Sequence, residues 1–157
     1  MESVVQIASY ICERYQREFG QRIDEMKLHK LLYFTQRECI VQTGQPFFPE
    51  EFLAWKYGPV IIEIRDVYKN DTLNEVPAHD TIALYADVLD VVFKKYARKD
   101  SWSLARLSHG ELSWENGRKG LSPTENGLQK MNLADIRKDA ERIKQRRSIL
   151  SHFKIIT

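Results

Sequence analysis

Apolar residues recur along most of this chain at helical spacing, broken by short polar or glycine-containing stretches. Val4, Ile7, Ala8, Ile11, Cys12 and Tyr15 make one stripe, which predicts a helix over Glu2–Phe19 ended by Gly20. The second stripe, Leu28, Leu31, Leu32, Thr35, Cys39 and Ile40, predicts a helix over Glu25–Thr43. Asp24 can accept hydrogen bonds from its free first-turn N–H groups, and Glu25 suits the positive end of the helix dipole. Gly44 supplies a C-terminal stop. Gln45–Pro49 reads as a turn. Phe52–Val60, FLAWKYGPV, is dense in aromatics and closes on Gly-Pro. Pro59 has φ preset for a first helical turn, so a third helix is expected from Pro59 to about Lys69, with Val60, Ile61, Ile64, Val67 and Tyr68 inward. The segment Met26–Val60 is too apolar to stand alone, and the rest of the chain is expected to pack around it.

Further on, polar Asn70–Asp80 with Pro77 reads as an exposed loop. Leu84, Tyr85, Val88, Val91, Val92 and Tyr96 give a fourth helix, Thr81–Ala97, a broad apolar face that predicts a central position. Asp100 or Ser101 caps a short fifth helix, Trp102–Ser108. Gly110–Gly127 reads as loop because of its four glycines and Pro123. Asn132 and Asp135 form a capping pattern that opens a last helix from Leu133 to about Leu150, with Ile136, Ala140 and Ile143 inward. The best strand candidate is Glu51–Lys56, with Met131–Leu133 as its partner. The expected fold is mainly α: a compact single-domain bundle of about six helices with room for a small two-stranded β element.

The totals narrow this little. A chain of 157 residues, 43% hydrophobic, suits one domain with a real core. A net charge of +2 is too small to argue for nucleic acid. Two cysteines, Cys12 and Cys39, make neither a disulfide framework nor a metal pattern; both read as small core hydrophobes. There is no secretory pattern and no apolar run long enough to cross a bilayer, so the expected location is the cytoplasm, away from the membrane. Locally, charge does change the picture: Arg137–Thr157 carries seven Lys/Arg against two Asp/Glu. Residues 146–157 form a basic tail that also holds Ile149, Leu150, Phe153, Ile155 and Ile156. It either docks a partner or packs back on residues 1–145.

Two blocks of sequence resemble a known family. KLHKLLYFTQRECIVQTGQPFFPEEFLAWKYGPV at Lys27–Val60 is similar to the signature of the Panacea antitoxin domain, the SocA-like or phage-associated GepA-like family: Lys-Leu-x-Lys-Leu-Leu-Tyr, a Thr-Gly turn, then Ala-Trp-x-x-Gly-Pro-Val. Leu107–Trp114, LSHGELSW, resembles its Leu-Thr-His-x-x-x-x-Trp block, with Ser108 in place of the usual Thr. Ile61–Arg65 departs from the family's pattern. The resemblance spans about Val4–Ile143 and leaves the tail outside. It implies an antitoxin of a toxin–antitoxin module, often phage or prophage encoded, that neutralises a cognate toxin by binding it. Some members are thought to hand a toxin to a protease. The family carries no catalytic activity and implies no cofactor.

The motif residues Lys27, Leu28, Lys30, Leu31, Tyr33, Trp55, Gly58, Pro59 and Trp114 are expected to be structural. Lys56 and Tyr57 either help anchor the Gly-Pro corner or point outward as part of a binding surface. His109 is expected to satisfy a carbonyl or pack on an aromatic ring; with Glu111 it is also a candidate for the partner surface, as are Arg146, Arg147 and Phe153. One enzymatic pattern competes. Arg147 and His152 have the Arg-x4-His spacing of HEPN-type helical ribonucleases, where Arg would stabilise phosphate charge and His would serve the 2′-hydroxyl. No metal set is expected among the scattered histidines and cysteines. No phosphate loop, nucleophile elbow or assignable helix-turn-helix is present, so nucleic-acid binding has no support.

Overall fold

Helix α2, Glu25–Thr43, is the axle of the fold in this computed structural model, which describes residues 1–153. Its cap is the one expected: the Asp24 carboxylate accepts from Lys27 N–H at 2.8 Å, and Gly44 closes the other end at φ +78°. Its burial is not confined to one face, however. Every residue from Lys27 to Ile40 is buried, polar ones included. Leu28, Leu31, Leu32 and Phe34 supply the apolar core. An unpaired buried polar group would cost about 1–3 kcal/mol, as much as a buried leucine contributes. The pairing therefore decides whether the arrangement is stable, and the partners come from distant segments. Lys27 Nζ donates to Tyr15 Oη and Ala97 O, both at 3.1 Å. The Gln36 amide donates to Phe48 O at 2.8 Å and accepts from Phe47 N–H at 2.7 Å.

Around this axle stand α1 (Val4–Phe19), α5 (Ala86–Tyr96), α6 (Ser101–His109) and α8 (Leu133–His152), with a β-hairpin at one side. Strands β1 (Leu53–Trp55) and β2 (Gly58–Val60) pair antiparallel, with Leu53 opposite Val60, Ala54 opposite Pro59 and Trp55 opposite Gly58. Gly-Pro thus belongs to a strand rather than to a helix start. The ladder keeps the chain extended through Ile61, and helix α3 begins only at Ile62 and runs to Lys69. Pro59 is tolerated there because β2 is an edge strand. On its other side β1 meets residues 129–131: Ala54 N–H donates to Gln129 O at 2.9 Å and Met131 N–H to Phe52 O at 2.8 Å, slightly upstream of the expected Met131–Leu133.

Two other expectations are corrected. The single central helix over Thr81–Ala97 is two, α4 (His79–Leu84) and α5, broken at Tyr85, whose ring lies 4.1 Å from that of Phe47. Only one side of α5 (Val88, Leu89, Val92, Phe93) is buried and α4 brings only the half-buried Ile82 against the core, so this segment flanks it. The glycine-rich stretch after α6 contains a helix, α7 (Leu112–Gly117), whose N-terminus is capped by Asp139 from α8. Gly117 lets α7 sit directly on β1, since a Cβ there would lie 2.6 Å from that of Ala54. The described residues therefore contain eight helices, against about six expected. The mainly α class and the small two-stranded sheet hold. Ile155 and Ile156 of the tail lie outside the described residues.

Candidate functional site

Lys56 and Tyr57 form the two-residue tip of the hairpin. The tip is fixed from below. Trp55 Nε1–H donates to Gly127 O at 3.1 Å, and the Arg65 guanidinium sits 4.9 Å above the Trp55 ring. Held this way, the tip faces solvent: Tyr57 is 46% exposed and meets the 54% exposed ring of Trp102 edge-on at 5.1 Å. Lys56 Nζ lies 5.0 Å from the Tyr57 ring. Trp102 was not singled out from the sequence. The signal was available, since it stands in the first turn of α6, out of phase with buried Leu104, Ala105 and Ser108. An exposed aromatic pair beside a cation has the composition of an interface centre.

Beneath the tip the two signature blocks interlock. Trp114 Nε1–H donates to Trp55 O at 2.8 Å, and the Trp114 ring stacks on His109 at 4.0 Å and 12°. His109 thus packs on an aromatic ring as expected. Burial holds its imidazole below the ordinary histidine range, and the charge of Lys30 adds to this. Its Nε2 is buried without a hydrogen-bond partner among the described residues. Leu28 and Leu31 are core. Tyr33 Oη donates to Asp139 Oδ2 at 3.1 Å and lies 3.2 Å from Ser113 Oγ. Lys30 is only 1% exposed; its Nζ donates to Pro59 O at 3.3 Å. Gly58, at φ +116°, makes room for it: a Cβ there would lie 2.6 Å from Lys30 Cε and equally close to Ser108 Oγ.

A second polar group lies further along α2. The Arg37 guanidinium binds Glu111 and donates to Tyr96 Oη at 2.6 Å. Burial pushes the Glu111 carboxyl up to about 7 against the pull of Arg37. Glu111 faces Arg37 rather than His109, so the two form no acid–base dyad. Glu38, also buried, takes both arms of Arg147 at 2.7 and 2.8 Å. Arg146 lines a cavity of about 260 Å³ beside Arg37 and Glu111. Glu38 is eight residues, about 12 Å, along α2 from Lys30, so Arg146 and Arg147 are not gathered with the hairpin tip. Phe153 is exposed at the end of α8. Of the pair with ribonuclease spacing, Arg147 is held by Glu38, and exposed His152, roughly 140° around the helix, meets Phe153 edge-on at 5.2 Å, so the two are not brought together among the described residues.

Among the described residues, no three His, Cys, Asp or Glu side chains group as a metal site would, and no helix is long and apolar enough to cross a membrane. A family model described as "Antitoxin SocA-like, Panacea domain" matches residues 28–115. The match runs from the first turn of α2 into α7 and contains the second block whole and all of the first but Lys27. It is narrower than the Val4–Ile143 span of the resemblance and leaves out α1 and α8. No curated protein and no solved structure matches the chain.

Proposed function

The chain belongs to the SocA-like Panacea antitoxin family, and from that premise we propose that it neutralises one cognate toxin by direct binding through the hairpin tip, acting in the cytoplasm as the product of a phage or prophage module. The observation that supports this reading is the Tyr57–Trp102 pair, two large aromatics left half in solvent on a rigid support beside Lys56. Aromatic residues on a preorganised base give large contact area at low entropic cost. The mechanism is occlusion or distortion of the toxin, with no bond chemistry. Co-expression with the protein encoded by the neighbouring reading frame tests it: that protein should arrest growth alone, and this chain should restore growth and co-purify with it. A harmless neighbour, or arrest without relief, refutes the proposal.

A second reading, an adaptor that hands the bound toxin to a protease, is favoured by one feature. Ile149, Leu150 and Phe153 are exposed on the last turns of α8, away from the hairpin. Ile149→Ser with Phe153→Ser should then lengthen the toxin's half-life in cells while toxin binding persists. An unchanged half-life removes the adaptor.

A further inference from the structure

Under the hairpin tip lies a cavity of about 180 Å³. Trp55, Tyr57 and Val60 form part of its wall, Lys56 and Arg65 border it, and Lys30 lines it from within. The Lys30 ammonium has three N–H donors and one acceptor, Pro59 O. No carboxylate among the described residues stands within 4.0 Å of it. The nearest acid in the cavity, Glu25, is already held by His29 Nε2–H at 3.1 Å and Arg65 at 3.3 Å. His29 adds no further positive charge: its Nδ1 accepts from Ile61 N–H at 3.3 Å, which fixes the neutral Nε2–H tautomer. Lys30, Lys56 and Arg65 thus face a single carboxylate within the cavity lining, while Asp24 acts on Lys30 from outside it, and neither acid is in contact with the Lys30 ammonium. A buried unpaired ammonium destabilises the fold that contains it, whereas an apolar side chain of the same length would not.

We propose that this cavity receives an acidic side chain of the toxin, an aspartate or glutamate that pairs with Lys30 while Tyr57 and Trp102 pack against its backbone. This rests on the antitoxin reading and names the chemistry of the toxin's contact. It also accounts for the juxtaposition of an aromatic rim with a buried cation: the rim excludes water, and exclusion of water strengthens the ion pair. Burial holds the free Lys30 ammonium down at about 7, so an arriving carboxylate restores the charged form and complex formation above pH 7 takes up a proton.

The test uses the full chain and two capped peptides, acetyl-Gly-Glu-Gly-amide and its Gln counterpart, titrated while the Trp55 indole N–H and the Lys30 Nζ are followed by NMR. The glutamate peptide should shift both signals saturably, with at least tenfold tighter binding than the glutamine peptide, and Lys30→Met should erase that preference. Equal shifts from both peptides, no shift from either, or a preference surviving in Lys30→Met overturns the proposal; the peptide comparison on the unaltered chain needs no variant to fold. A parallel titration with the neighbouring gene's product separates the two readings. Equal affinity for the unaltered chain and Lys30→Met overturns the acidic contact and leaves the antitoxin reading standing. No binding to the unaltered chain overturns the antitoxin reading, and the peptides alone then decide the cavity.

Discussion

Replacing Gly58 with alanine tests the joint between the hairpin and α2 more sharply than any other single change. Two costs add there. The backbone sits at φ +116°, a region that side-chain-bearing residues avoid at about 1–3 kcal/mol. The new methyl would also lie 2.6 Å from both Lys30 Cε and Ser108 Oγ, and 3.0 Å from Lys30 Nζ. Overpacking a filled site costs about 1–3 kcal/mol, and Ser108 has little freedom to retreat because its hydroxyl donates to Ala105 O at 2.7 Å. The sum, about 2–6 kcal/mol, is a large share of the roughly 5–15 kcal/mol that holds a domain folded. Urea unfolding followed by tryptophan fluorescence measures it. The two contributions separate in a background carrying Lys30→Ala and Ser108→Ala, where the steric part, about 1–3 kcal/mol, should vanish and the backbone part remain. A loss below about 1 kcal/mol in Gly58→Ala, or a loss unchanged in the truncated background, refutes the close packing of Lys30 beneath the hairpin.

Lys30→Met should unfold cooperatively and gain most over the unaltered chain below pH 7. Lys30 titrates at about 7 when folded and near 10.5 when not, so between those values the unfolded chain holds more protons and stability rises with pH by up to about 1.4 kcal/mol per unit; the gap to Lys30→Met should shrink across pH 7–10 in urea titrations, and a constant gap contradicts this. Asp139→Ala strands the N–H groups of Leu112 and Ser113 and leaves the Tyr33 hydroxyl with Ser113 Oγ, and should cost about 3–5 kcal/mol, with the amides of α7 losing hydrogen-exchange protection first. Arg147→Ala leaves the Glu38 carboxylate, among the described residues, with the Gln42 amide at 2.9 Å, and should cost about 2 kcal/mol, discounted because the guanidinium is itself part-exposed. Neither the unaltered chain nor His152→Ala should cleave RNA in a gel assay, and the two should be equally stable; cleavage that His152→Ala abolishes would contradict this.

The elements read correctly from the sequence are those whose signals are local. α1, α2, α6 and α8 each carry an apolar period together with a neighbouring cap or glycine stop, such as Asp24 and Gly44 around α2 or Asn132 before α8. Those misread depend on partners far along the chain. Gly58–Val60 looks like a helix start until β1 is opposite, and α7 looks like loop until Asp139, 27 residues on from Leu112, caps it. Periodicity alone also undercounted the burial of α2, because Glu38 is tolerated in the core only with Arg147, 109 residues away. The candidate site shows the same division. Lys56 and Tyr57 stand out as a cation beside an aromatic, whereas the phase of Trp102 on α6 marks it as exposed but leaves its partner, Tyr57, to the assembled fold. Lys30 was legible as a motif residue, but its lack of an ionic partner is a property of the assembled fold.

On the proposed reading a rigid aromatic tip, not a reactive centre, carries the function. Calorimetric titration of the neighbouring gene's product into the unaltered chain and into Tyr57→Ala/Trp102→Ala measures this. Two aromatic anchors at about 2 kcal/mol or more each predict an affinity weaker by roughly 700-fold or more, with an unfolding midpoint that hardly moves because both rings are already half in solvent. Undiminished affinity in the double variant would contradict the account.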